Sequence, residues 1–79
     1  MTELKTKYQF IYFYFVGSKD YPNWNCHSIR NNSFLGYVER YKPWKQYCFF
    51  PMGGTVLSND CLLDIADFLK QLSEVRIGD

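Results

Sequence analysis

Seventy-nine residues suffice for one small domain, residues 1–79, and leave no material for a second core. A net charge of +1 supplies no global field toward nucleic acid or anionic lipid, and three cysteines without a CxxC pair make no disulfide framework. The apolar material is instead aromatic: seven Tyr, seven Phe and two Trp, 20% of the chain. Each ring can bury about 150–250 Å² while freezing few torsions, which suits a core this small.

The N-terminal Met1–Lys5 leads into an apolar run, Phe10–Val16. That run is too aromatic for the apolar part of a signal peptide, has no small-residue cleavage site and is too short to cross a bilayer as a helix. These features predict a cytoplasmic protein with reduced thiols and no membrane association.

Residues 7–16 (KYQFIYFYFV) are β-branched and aromatic and stop at Gly17-Ser18, which predicts a strand. Alternation puts Tyr8, Phe10, Tyr12, Tyr14 and Val16 on one face and Ile11, Phe13 and Phe15 on the other, the second expected against the core. Two apolar faces imply a central strand or a subunit contact. Residues 18–23 read as a loop, 24–30 as a second strand and Asn31-Asn32-Ser33 as a turn.

Residues 35–41 and 44–50 follow as a hairpin. Pro43 is unsuited to the third position of a two-residue turn, so the loop should hold three to five residues. Gly36 marks a bulge or a close approach. After Pro51–Gly54 and a short extended stretch, Thr55–Leu57, Ser58 is a fitting N-cap with Asp60 in the first turn. From Asn59 to about Leu72 the apolar residues Cys61, Leu62, Ile65, Phe68, Leu69 and Leu72 repeat with helical spacing. Asp60, Asp64 and Asp67 share the opposite stripe.

The elements together predict an α+β fold: a three- to four-stranded antiparallel β-sheet with one C-terminal α-helix packed on one face. A single helix covers one face, so the other must meet water, a second copy or a ligand.

Segment 35–69 resembles a family of small uncharacterised proteins common in bacteriophages and other mobile elements. The shared pattern falls on Leu35, Gly36, Trp44, Tyr47, Phe49, Pro51, Cys61, Leu62, Ile65, Ala66, Asp67 and Phe68. Where the pattern has an aromatic near the hairpin tip, this chain has Arg40. The resemblance implies a small accessory protein that acts by docking and transfers no catalytic residues.

Catalysis finds little purchase in the residues. His27 is adjacent to Cys26, but neighbours on a strand point to opposite faces, leaving only a thiol from another strand, such as Cys48, within reach. Cys26, His27, Cys48 and Cys61 lack the close pair that structural zinc sites use. Gly53-Gly54 has neither the Lys nor the Ser/Thr of a phosphate loop.

Charge is segregated: Arg30, Arg40, Lys42 and Lys45 make a basic middle, and Asp60, Asp64, Asp67 and Glu74 an acidic end. The residues therefore predict a non-enzymatic interaction module without metal or cofactor, able to form a homodimer. It would bind a protein through the aromatic hairpin (Tyr41, Trp44, Tyr47) or the acidic strip (Asp60, Asp64, Asp67). The alternative is a nucleic-acid or nucleotide binder, with bases on Tyr37, Tyr41, Trp44 and Tyr47 and phosphates on Arg40, Lys42 and Lys45.

Overall fold

Alternating apolar residues and turn-forming loops place four strands in sequence: β1 (Ile11–Phe15), β2 (Asn23–Ser28), β3 (Phe34–Tyr41) and β4 (Gln46–Pro51), followed by a helix, α1 (Asn59–Glu74). The structure, a computed structural model, describes residues 4–74. The strands form one antiparallel sheet in the order β1-β2-β3-β4, and α1 crosses one face. This is the α+β architecture expected, with four strands.

Register decides which rings meet the helix. Phe13 lies opposite Cys26, Trp24 opposite Val38 and Val38 opposite Phe49, so these side chains share one face. From α1, Ile65, Phe68 and Leu72 close onto them. Phe68 has no solvent exposure; its ring stacks on Phe13 at 4.1 Å and 6° and meets Trp24 edge-on at 5.7 Å.

Ser58 starts α1 as its side chain suggested: Oγ accepts the Cys61 N–H at 3.2 Å and the carbonyl accepts Leu62 N–H at 2.9 Å. Leu62, expected in the buried stripe, is 51% exposed. At 3.6 residues per turn it sits about 120° around the helix from Phe68, on the flank rather than the buried face.

The predicted strand over 7–16 is shorter and sits differently. The chain reverses at residues 8–10: Tyr8 N–H donates to the Ile11 carbonyl at 2.9 Å and Phe13 N–H to the Thr6 carbonyl at 2.8 Å. Tyr8, expected among the exposed phenols, is buried. Its hydroxyl donates to Asp67 Oδ2 and accepts from Gln71 Nε2, both at 2.8 Å. Gln71 also exchanges two hydrogen bonds with the Lys5 backbone, at 2.8 and 2.9 Å. Burial first, and then Asp67, push the Tyr8 hydroxyl well above the usual phenol range. β1 is consequently an edge strand rather than a central one, flanked by residues 6–7 through the Lys7–Tyr12 bridge. Phe15, expected in the core, is 50% exposed at the strand end, edge-on to Trp24.

The hairpin loop holds Lys42–Trp44 as a 3-10 turn, then Lys45 in the left-handed region (φ 53°) before the Tyr41–Gln46 pair, within the expected length. Gly36 is a close-approach glycine beside an irregularity in β2–β3 pairing. A Cβ there would lie 2.5 Å from the Phe50 carbonyl oxygen and 2.7 Å from Phe49 Cζ. The Asn31–Ser33 turn forms as expected, with Asn31 Oδ1 accepting from both N–H and Oγ of Ser33.

Two expected outcomes follow from this packing. Phe68→Ala should lose about 3–5 kcal/mol in urea unfolding, while Gly36→Ala should lose about 1–3 kcal/mol through overpacking. A neutral Gly36→Ala would contradict the close approach. The second concerns pH. Burial, with Cys61 secondarily, raises the fully buried Cys26 thiol from 9.0 to about 12. The folded state thus keeps a proton that the unfolded chain releases, so this stability is intact below pH 9.0 and lost as pH rises toward 12. Urea titrations across that window should show a smaller loss for Cys26→Ala than for the parent chain.

Candidate functional site

The face turned away from α1 is built by the alternate residues of the same strands. It carries Tyr12 and Tyr14 from β1, Asn25 and His27 from β2, Phe34, Tyr37 and Tyr41 from β3, and Cys48 and Phe50 from β4. Its rings form two groups. Around His27 are Tyr12 (5.6 Å), Tyr14 (5.2 Å) and Phe34 (5.4 Å). Toward β4, Tyr37 stacks on Phe50 at 5.0 Å and 10°, and Tyr41 meets Phe50 at 6.1 Å and Trp44 at 5.0 Å, both edge-on. Tyr14, Phe34, Tyr41 and Trp44 all remain exposed, Trp44 by 66%.

Polar side chains fix parts of this face. The Tyr12 hydroxyl donates to Asn32 Oδ1, and Asn25 Nδ2 to the Tyr14 hydroxyl at 3.4 Å. His27 Nδ1 lies 3.0 Å from the Asn32 carbonyl, which can only accept, so Nδ1 carries the proton. Nε2 is buried among the rings without a hydrogen-bond partner among the described residues. Strand β3 stands between His27 and Cys48, and Cys26 faces the core. A thiol–imidazole pair is therefore not assembled by this sheet. Among the described residues no group of three His, Cys, Asp or Glu could hold a metal ion.

The hairpin residues singled out in the sequence separate. Tyr37, Tyr41 and Trp44 belong to the uncovered ring face. Arg40 pairs with Tyr47 on the strand positions that alternate with that face, where Tyr47 is half-buried, edge-on to Trp24 at 6.0 Å. Burial raises the Tyr47 hydroxyl above the ordinary phenol value, with Arg40 working against it. Arg40, Lys42, Lys45 and Tyr47 line a cleft of about 710 Å³ with Glu39 and, from the β1–β2 loop, Lys19, Asp20, Tyr21 and Pro22. Lys19 and Tyr21 were not singled out in the sequence. The signal was available: in a meander the first and third connections lie at the same end of the sheet.

The acidic strip also divides. Asp60 is exposed in the first helical turn, Asp64 is half-buried, and Asp67 already accepts the Tyr8 hydroxyl. Asp67 therefore fastens the N-terminal segment to α1 in addition to facing solvent. No helix among the described residues is long and apolar enough to cross a membrane. Comparison with protein families, curated proteins and solved structures gave no match to this chain.

The Tyr37–Phe50 stack yields a measurable outcome. A double-mutant cycle with Tyr37→Ala and Phe50→Ala should give a coupling of about 0.5–1.5 kcal/mol. Additive losses would mean that the rings do not touch in solution.

Proposed function

We propose that this chain is a non-enzymatic docking module whose uncovered sheet face binds a protein. In keeping with the phage-type proteins that residues 35–69 resemble, it acts as a small accessory protein on a host protein, with inhibition of a defence protein as one role. The single observation that carries the reading is the composition of the uncovered face. Strand alternation gives it the two ring groups and, among the described residues, little charge: Glu39 from β3 and Lys7, brought beside Tyr12 by the Lys7–Tyr12 bridge. Nucleic acid is bound chiefly by several cations that displace counterions from phosphate, and here Lys7 stands alone at the β1 edge, balanced by Glu39. Exposed Tyr, Phe and Trp with few charges match the composition of protein-interface centres. Cys26, Cys48 and Cys61 are all free, which suits work in the reducing cytoplasm.

The test is affinity capture from host lysate by the tagged chain, with and without nuclease. Three baits are compared: the parent, Tyr14→Ser/Tyr41→Ser on the ring face and Lys42→Gln in the cleft. The same identified protein should survive nuclease and Lys42→Gln and disappear with the ring-face pair. Loss on nuclease treatment, or retention by the ring-face variant, would contradict the reading. Sedimentation of the purified chain addresses a homodimer: concentration-dependent association abolished by the ring-face pair would assign this face to a second copy instead.

A further inference from the structure

We infer that the cleft between the β1–β2 loop and the β3–β4 hairpin binds an organic phosphate carrying a planar ring, that is, a nucleotide, either free or within a single strand. This inference is independent of the docking reading, because the cleft opens at the end of the sheet and, Glu39 apart, uses different residues.

Both walls of the cleft contribute positive charge. Lys19 comes from the β1–β2 loop, Arg40 from the end of β3, and Lys42 and Lys45 from the hairpin loop. Against them stand only Asp20 and Glu39, so the lining carries a net positive charge of +2. A phosphate monoester brings about −1.5 to −2 at neutral pH and three acceptor oxygens, a close electrostatic complement. Arg40 can grip two of those oxygens at once, whereas the lysines act as point charges.

The loops that hold these cations are constrained rather than slack. Gly17 lets the β1–β2 loop fold tightly, since a Cβ there would lie 2.1 Å from the Tyr21 carbonyl oxygen. Ser18 N–H donates to that carbonyl at 3.2 Å, and Ser18 Oγ accepts the Tyr21 N–H at 3.2 Å. Across the cleft, the left-handed Lys45 donates its N–H to the Lys42 carbonyl at 3.1 Å, setting the two lysines at the ends of one 3-10 turn. Ordering the loops before the ligand arrives lowers the entropy cost of binding.

The aromatic lining identifies the rest of the ligand. Tyr21 is 72% exposed, so its ring presents a large free surface, and Tyr47 is held in place by its contact with Trp24. A base can lie against either ring, and a stacked base contributes affinity without sequence preference. The Tyr47 hydroxyl, pushed up by burial, stays protonated at neutral pH and can donate to a phosphate or ribose oxygen. The volume of about 710 Å³ falls within the range of small-molecule sites.

Isothermal titration of the full chain tests this with adenosine monophosphate, adenosine, inorganic phosphate, a short single-stranded oligonucleotide and a poly-glutamate peptide. Adenosine monophosphate or the oligonucleotide should bind more tightly than adenosine, inorganic phosphate or the peptide. Binding by the mononucleotide identifies a free nucleotide as sufficient, and binding by the oligonucleotide alone identifies the strand as the source. Arg40→Gln/Lys45→Gln should weaken binding at least about tenfold, and raising salt from about 50 to 200 mM should weaken it further. Lys70→Gln, which removes an exposed cation from α1 outside the cleft, should leave it unchanged. Circular dichroism confirms that these exposed-site variants fold. Absence of binding at low salt, equal binding of inorganic phosphate or peptide, or full affinity in the Arg40/Lys45 variant would overturn the inference.

Discussion

One helix can cover only one face of a four-stranded sheet, and the remaining features of this molecule follow from that constraint. The stack of Phe68 on Phe13 fastens α1 to the face bearing Trp24, Cys26 and Val38. Without that contact the helix would lose the centre of its buried stripe, since Ile65 and Leu72 flank Phe68 on the same side. Strand alternation then sends every second residue away from the helix, where Tyr12, Tyr14, Tyr37 and Phe50 meet one another instead of a covering layer. The chain thus uses aromatic residues twice: to fill a core too small for aliphatic packing alone, and to build a surface.

Rings and charge are kept apart by the same geometry. The meander brings the β1–β2 and β3–β4 connections to one end of the sheet, and there the cations gather around a cleft. The broad face between the strands holds rings with almost no charge. At the opposite flank, Tyr8, Asp67, Gln71 and the Lys5 backbone form a polar network that holds the N-terminal segment against α1. Breaking one member leaves partners short of hydrogen bonds, which is costlier than the loss of a solvent-facing contact. The ring face and the cleft are thus two chemically distinct surfaces on one small chain.

Much of the fold was legible because it is decided locally. Ser58 and the apolar repeat of α1 are signals carried by neighbouring residues, as are the Asn31–Ser33 turn and the constraint that Pro43 places on its loop. The reversal at Tyr8 was not legible for the converse reason. Residues 7–16 look like one strand, but the chain reverses before Ile11, and the Tyr8 hydroxyl at that reversal is bonded to Asp67 and Gln71, 59 and 63 positions away. Leu62 fits the helical repeat yet lies at its margin, where the covered width of the sheet decides exposure.

The candidate site was legible as composition and not as arrangement. The hairpin residues are aromatic and basic in sequence, but strand parity puts Tyr37 and Tyr41 on one face and Arg40 with Tyr47 on the other. Lys19 and Tyr21 join the cleft only through topology, from a loop whose residues show no pattern of their own. A residue's type foretold the kind of contact it makes; its neighbours depended on which connections share an end of the sheet.

Hydroxyl-radical footprinting of the purified chain, at concentrations where it is monomeric, tests most directly whether the ring face is open. The account predicts strong modification of Tyr14, Phe34, Tyr41 and Trp44 alongside protection of Phe13, Trp24 and Phe68. Protection of the first set in the monomer, or ready modification of Trp24 and Phe68 in the folded chain, would contradict it.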